Sequence, residues 1–385
     1  METLLVRYGE LAVKGPGTRG RMERLLVEAL SEALDDWGGR YRVKRLQGRI
    51  IIELPDGGAV EAAGYARRVF GVKSLSPAWM TTYKSLTDLI ERALEYFAPR
   101  AKGKTFRVRA RRSMAEGFTS KDVERLLGER LLQAGAGRVN LEHAEYTAYL
   151  EIRGDTVFLY DTVIPGPGGL PPRSEDPVLV LFSGGFDSTV AAWRIMRRGS
   201  PVQLAYYDLG SKQALDTAIQ AARELARLWG YGQHNMKLHI VDFKPTVTLA
   251  AGLVDPRYRT LVIRRLMLEH AVQLAKTLGI EAIATGDSIG QVASQTIRNL
   301  YITSRLLDTA ILRPLAGTDK DEVMQEAQRI GLYHIVSKQV EPCAINTKPT
   351  TRANPEKFHR ELEKLKPLPP PETKTINLKQ AVKNI

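Results

Sequence analysis

The chain has a single cysteine, Cys343, among 385 residues. That excludes internal disulfides, a cysteine zinc cluster and an iron–sulfur site held by several cysteines. The six histidines are scattered without His-x-x-x-His spacing, so no dedicated transition-metal site is expected. No apolar stretch approaches membrane-spanning length, and the N-terminal METLLVRYGE enters a strand pattern directly, with no signal peptide. The expectation is a cytoplasmic protein with no membrane contact. Acidic residues are also in short supply: 43 Asp and Glu face 56 Lys and Arg, for a net charge of +13. Such an excess suggests an anionic partner, and its position along the chain says more than its size.

Between positions 100 and 112 lie Arg100, Lys102, Lys104, Arg107, Arg109, Arg111 and Arg112, with no acidic residue among them. Residues 105–110 read as a strand, where alternate side chains share a face, so Arg107, Arg109 and Arg111 should point the same way. Arg40, Arg42, Lys44, Arg45 and Arg49 make a second basic segment, alternating in its first part. Either strand alone suits a solvated sheet face balanced by neighbouring acids as well as it suits RNA. Two of them in one half of the chain favour a polyanion.

The length implies two or three domains. Residues 1–57 read as strand, helix, strand, strand, a small α+β unit. Residues 58–165 hold two helices around a strand-like stretch, then the basic strand, a helix opened by a capping-box pattern at Thr119 and Asp122, and two strands. Residues 166–176, rich in glycine and proline, read as a linker. From 177 to 350 strands and helices alternate, the signature of a doubly wound parallel sheet. Residues 351–385 look like a basic, proline-rich tail, with little core expected after Leu365.

Within the alternating half, the apolar run 178–182 is followed by Ser183-Gly184-Gly185-Phe186-Asp187-Ser188 and a helical pattern. Strand, glycine turn and hydroxyl-rich helix start make a phosphate cradle, because consecutive backbone N–H groups and the positive helix end converge on an anion. No lysine stands where a G-x-x-x-x-G-K-[ST] loop needs one, so the cradle is of another type. Taken alone, two glycines after a strand also suit an ordinary tight turn. The whole hexamer resembles the PP-loop of ATP pyrophosphatases, which implies adenylation of a substrate and release of pyrophosphate. Asp187 then offers a ligand for Mg²⁺, and Ser183 and Ser188 can donate to phosphate oxygens.

Downstream, residues 284–296 read ATGDSIGQVASQT: a strand end, a turn at Gly286 and a polar helix start, as found at the ligand crevice of such sheets. With SGGFDS this segment resembles the tRNA 4-thiouridine synthetase (ThiI) family, in a short form without a rhodanese domain. Arg7-Tyr8-Gly9-Glu10-Leu11 with Lys14-Gly15 resembles the start of its N-terminal ferredoxin-like domain. Gly103 to Arg109, then Asp122-Val123-Glu124-Arg125, resembles its THUMP RNA-binding domain. Ile311-Leu312-Arg313-Pro314-Leu315, Asp319-Lys320 and Glu341-Pro342-Cys343 match later catalytic segments. The likeness covers roughly residues 1–350, in order.

The resemblance implies an enzyme that uses ATP and Mg²⁺ to adenylate O4 of uridine 8 in tRNA and then replaces that oxygen with sulfur. It assigns ATP binding to Leu181, Phe182, Ser183, Gly184, Gly185, Phe186, Asp187, Ser188, Tyr206, Tyr207, Arg264, Gly286 and Gln295. It assigns tRNA binding to Lys104, Arg107, Arg109, Arg111 and Arg112. Catalytic roles fall to Asp187, Lys320, near the α-phosphate, and Cys343, as sulfur carrier. By composition alone, a lone cysteine such as Cys343 reads as a small buried hydrophobe. Asp287 stands where the family usually has Glu. With no room for a rhodanese domain, sulfur is expected in trans from a cysteine desulfurase, a free-standing rhodanese or sulfide. The resemblance allows a homodimer in which one chain holds the tRNA that the other modifies. The competing readings are a sulfur relay toward the thiamine thiazole and a tRNA-binding module with a vestigial ATP site.

Overall fold

A computed structural model describes residues 1–46, 48–339 and 349–378, and the chain divides into two compact units after Gly169. In the first unit, β1 (Glu2–Tyr8), α1 (Pro16–Trp37), β2 (Arg42–Leu46), β3 (Arg49–Glu53), α2 (Ala59–Ala66) and β4 (Val72–Thr82) form a βαββαβ unit. Pro16 opens α1 and Gly38 closes it in the left-handed region, its N–H bonded to the Leu34 carbonyl. Met22, Leu26, Leu30 and Leu34 make the buried stripe. β1 pairs antiparallel with both β3 and β4, giving the order β4-β1-β3-β2 of a ferredoxin-like sheet. The boundary expected at 57/58 therefore falls inside this unit, because β4 pairs with β1 along its length.

The chain continues through α3 (Leu86–Ala101), β5 (Phe106–Ser113), α4 (Ser120–Gln133), β6 (Tyr146–Arg153), β7 (Thr156–Tyr160) and the short β8 (Ile164–Pro165). The capping box is formed: Thr119 accepts from the Asp122 N–H and Asp122 accepts from the Thr119 N–H. β4 is long enough to pair with β1 on one edge and with β7 and β8 on the other. The two halves thus share one eight-stranded sheet, β2-β3-β1-β4-β7-β6-β5 with β8 on β4.

The second unit contains β9 (Val178–Leu181), α5 (Phe186–Arg197), β10 (Val202–Asp208), α6 (Lys212–Trp229), β11 (Lys237–Asp242), α7 (Lys244–Leu253), α8 (Pro256–Thr277), β12 (Ala282–Ala284), α9 (Ile297–Ser304), β13 (Ala310–Leu312), α10 (Lys320–Arg329), α11 (Tyr333–Val336), α12 (Pro355–Glu363) and β14 (Thr373–Asn377). Its sheet runs β13-β12-β9-β10-β11-β14, parallel except for β14. α5, α6, α10 and α11 pack on one another, as do α7, α8, α9 and α12 in a second group. The chain winds from β9 toward β11 and then returns to β12 on the other side of β9. That reversal opens a crevice at the carboxyl ends of β9 and β12.

Two expectations are corrected. The segment 166–176 is not a free linker: the Gly168 carbonyl accepts from the Gly71 N–H in the first unit, while Leu170 and Glu175 bond to Arg197 and Gly199 in the second. Nor is 351–378 a mere tail. Phe358, Leu362 and Leu365 are buried against α8, each worth roughly 1.5–3 kcal/mol. Beyond Leu365, where little core is expected, β14 covers the edge of β11 and Leu378 is buried. Prolines and lysines crowd that stretch and obscure the strand at Thr373–Asn377. No helix among the described residues is long and apolar enough to cross a membrane.

Candidate active site and nucleic-acid face

The crevice holds a cavity of about 280 Å³ lined by Leu181, Phe182, Ser183, Asp187, Ser188, Tyr206, Tyr207, Arg264, Gly286 and Gln295 from the expected set. Gly184 turns the chain at φ +79°, and a Cβ there would sit 2.5 Å from the Ala218 Cα, so α6 approaches too closely for any side chain. Ser183 N–H donates to the Ser188 Oγ at 3.1 Å, and the two hydroxyls are 3.1 Å apart. This places both at the first turn of α5, whose leading N–H groups have no intrahelical carbonyl to bond. Gly286 meets this loop from the end of β12. Its Cβ would lie 2.7 Å from the Asp187 carbonyl carbon and 2.8 Å from the Ser188 nitrogen, so only glycine lets the two loops touch.

Asp287 is buried in the wall behind Gly286. Its Oδ1 accepts from Arg264 Nη2 at 2.5 Å and from Gln295 Nε2 at 3.3 Å; Oδ2 accepts from Thr285 Oγ1 at 2.8 Å and lies 3.5 Å from Arg313 Nε. Burial pushes the Asp287 carboxyl up, but the Arg264 charge and hydrogen bond, with Thr285 and Arg313, outweigh it and hold the group below its ordinary value. Arg264 Nε and the Gln291, Gln295 and Gln339 side-chain carbonyls are buried without a hydrogen-bond partner. Arg264, Gln295 and Gln339 line one cavity, with Gln291 bonded to Asp187 at its wall, an arrangement that fits a polar ligand.

Asp187 accepts from Lys320 Nζ at 2.9 Å and from Gln291 Nε2 at 3.1 Å. Lys320 is the first residue of α10, capped by Asp319, and lies over the Phe186 ring at 5.4 Å. The Ser288 hydroxyl donates to the Thr318 carbonyl and Ile289 N–H to the Ala316 carbonyl, so the long motif itself seats the loop that presents Lys320. Gly184, Gly185 and Phe186 do not line the cavity: the glycines shape the turn, and Phe186 packs edge-on against Tyr333 beneath Lys320. Tyr206 and Tyr207 alternate across the sheet. The Tyr207 hydroxyl donates to the Met267 carbonyl at 2.9 Å, and burial pushes its pKa up, so Tyr207 ties β10 to α8. Met267 and Leu268 line the cavity and were missed, although they follow Arg264 at i+3 and i+4 on α8. Gln339 also lines it, four positions before Cys343. Cys343 lies outside the described residues.

A single carboxylate beside a phosphate cradle suits Mg²⁺, which is commonly shared between one or two carboxylates and polyphosphate oxygens. Asp187 provides that carboxylate at the cavity wall. Among the described residues no group of three His, Cys, Asp or Glu could hold a metal alone.

In the first unit, strand register places Arg42 and Lys44 of β2, Arg49 of β3, Arg7 of β1, and Arg107, Arg109 and Arg111 of β5 on one sheet face. Both basic strands read from the sequence therefore contribute to the same surface. Its centre is a cleft of about 630 Å³ where Arg7, Arg49, Lys73, Arg107, Arg109 and Arg111 surround Tyr149 and Tyr160, which stack at 5.1 Å. Arg7, Arg49 and Arg153 converge on the buried Glu151, which leaves the cleft strongly positive. Arg112 faces the other way, near the Phe118 ring, and Lys104 lies 5.6 Å over the Tyr146 ring. Neither joins the cleft, because Arg112 is out of phase with the alternation and Lys104 precedes the strand.

Family models match along most of the chain: a ThiI ferredoxin-like domain at 3–76, a THUMP domain at 83–161, and the thiamine biosynthesis protein ThiI at 173–366. A probable tRNA sulfurtransferase of Aeropyrum pernix is 55% identical over 96% of this chain and 93% of its own length. A tRNA sulfurtransferase of Pyrobaculum aerophilum is 42% identical over 90% of this chain and 70% of its own. Among solved structures, a 4-thiouridine synthetase in complex with RNA and bound ATP shares the fold, with a TM-score of 0.81 at 24% identity over 98% of this chain and all of that one. With these matches spanning both units, the chain belongs to the ThiI family of tRNA sulfurtransferases.

Proposed function

We propose that this protein is an ATP-dependent tRNA sulfurtransferase that converts uridine 8 of tRNA to 4-thiouridine in the cytoplasm. The observation that carries the reading is the meeting of the Ser183–Ser188 cradle and the Gly286 loop at the sheet's switch point, with Asp187 at the cavity wall and Lys320 bonded to it. O4 of the uridine attacks the α-phosphate of ATP and pyrophosphate leaves. Lys320 and the α5 N-terminus stabilise the charge that develops on the phosphate. Mg²⁺ held by Asp187 would neutralise the phosphate oxygens. Sulfur then attacks C4 and AMP leaves with the former O4. When the attacking sulfur is the outer atom of a Cys343 persulfide, the resulting disulfide is cleaved by an external thiol.

Sulfur is supplied by a separate donor, a cysteine desulfurase, a free-standing rhodanese or sulfide, and the basic face of the first unit takes the tRNA. A homodimer sharing one tRNA belongs to the same reading. A relay toward the thiamine thiazole gives no use for that basic face, and a vestigial site gives none for the retained cradle.

The test is to incubate the full chain with unmodified tRNA, ATP, Mg²⁺ and a persulfide or sulfide donor, digest the RNA and measure 4-thiouridine by mass spectrometry. The expected result is thionucleoside with stoichiometric AMP. Cys343→Ser should retain single-turnover release of pyrophosphate yet form no 4-thiouridine from the persulfide donor. A wild-type chain that yields neither thionucleoside nor tRNA-dependent AMP overturns the proposal.

A further inference from the structure

Outside the nucleotide cavity, the second unit brings three segments together around one buried amide. Asn299, with no exposed surface, donates from Nδ2 to the Ala293 carbonyl and to the Thr350 carbonyl, both at 2.7 Å, and its Oδ1 accepts from the Ala353 N–H at 3.1 Å. The Thr350 N–H donates to the Arg257 carbonyl at 3.0 Å, and the Thr296 hydroxyl to the Thr351 carbonyl at 2.8 Å. Every hydrogen-bonding atom of the amide but one lone pair is used, so the junction is rigid.

This junction gathers Arg257, Arg298 and Arg352, from the start of α8, the start of α9 and the segment before α12. All three are exposed, and none forms an ion pair within the described residues. Arg298 Nε reaches the carbonyl of Ala353, the residue after Arg352, at 3.5 Å. The neighbouring carboxylate Asp255 is engaged by Lys357 at 2.6 Å and caps the Arg257 N–H. On α9, next to Arg298, Ile297 and Tyr301 stand 63% and 55% exposed on successive turns, an apolar ledge beside a guanidinium with no ion pair among the described residues. The patch adjoins the nucleotide site directly: Thr296, bonded to Thr351, follows Gln295 of the cavity wall.

We propose that Arg257, Arg298 and Arg352 form a second RNA surface, on the catalytic unit itself, that grips phosphates flanking the target nucleotide while Tyr301 offers a stacking face. Arginines whose backbones meet at a fixed junction suit phosphodiester oxygens, and an exposed ring next to Arg298 suits an unstacked base. The surface gives the RNA a local register at the ATP site, separate from affinity supplied by the first unit. This rests on the tRNA-thiolation reading.

The experiment compares the wild-type chain with Arg257→Glu/Arg298→Glu/Arg352→Glu and with the milder Arg257→Gln/Arg298→Gln/Arg352→Gln, using an unmodified tRNA transcript, sulfide as donor and a salt series. Both variants should keep wild-type ATP binding in equilibrium dialysis and the wild-type melting temperature. The Glu variant should raise KM for tRNA about tenfold or more and lower the salt slope by about 2 to 3, with a smaller change in the same direction for the Gln variant. Wild type that forms no 4-thiouridine defeats the underlying reading. Wild type that is active, beside variants with unchanged KM and salt slope, defeats the surface alone. A parallel assay replaces sulfide with a protein persulfide donor, and loss confined to that assay assigns the patch to the donor protein instead of RNA and overturns the proposal.

Discussion

Asp287 offers the sharpest test of how the nucleotide site is held. Its carboxylate touches Arg264 at 2.5 Å and lies 3.5 Å from Arg313, with Gln295 and Thr285 completing its bonds. Asp287→Asn keeps the shape and one acceptor but removes the charge, leaving two mostly buried guanidinium groups facing each other. Removing one partner of such a buried pair costs about 3–5 kcal/mol, and the retained acceptor brings the Asn variant to the lower end, about 3. For a unit of this size each kcal/mol lowers the melting temperature by about 2–4 °C, so a fall of about 6–12 °C is expected in differential scanning calorimetry. The acceptor shared by Arg264 and Gln295 also loses its charge, and a charged hydrogen bond of about 1.5–3 kcal/mol corresponds to a rise in ATP Kd of roughly tenfold or more.

The pH dependence adds an independent reading. Since the folded-state value of Asp287 is below the ordinary one, its stabilisation is complete above about pH 4 and is lost as pH falls through the lower folded value. The stability difference between wild type and Asp287→Asn should therefore be flat from about pH 5 to 8 and shrink in acid. An Asn variant within about 1 kcal/mol of wild type at neutral pH, with unchanged ATP affinity, would refute the argument.

Gly286→Ala should push the β12 loop away from Asp187 and Ser188, since the added Cβ would meet their backbone at 2.7–2.8 Å. Overpacking of this kind costs about 1–3 kcal/mol, seen as about 5- to 150-fold weaker ATP binding by calorimetry, and wild-type affinity would show that the loops separate freely. Arg107→Glu with Arg109→Glu should weaken tRNA binding and reduce its salt slope by about 2, while Arg112→Glu, on the opposite face, should do neither. Equal losses in filter binding for the two variants would count against a single RNA face.

Local pattern carried a long way here. The hexamer at 183–188 announced a cradle because a strand end, two glycines and hydroxyls suffice to describe one, and alternation in 105–112 announced a basic strand face. The capping box at Thr119 was legible for the same reason: its geometry lies within a single turn. Partners remote in sequence were not legible. Nothing local pairs Asp187 with Lys320 across 133 positions, or places Asp287 between Arg264 and Arg313, because those contacts depend on β12 returning to the far side of β9.

The division between the first two domains was misread because β4 belongs to one sheet on both edges, and the C-terminal segment because its apolar residues are few and widely spaced. Residue types and their local spacing specify the chemistry of the parts: a glycine- and hydroxyl-rich turn, a cationic strand face, one thiol. Which parts work together is set by the folded chain, since reversal of the strand order brings two loops into van der Waals contact and strand register turns separate basic segments to one face.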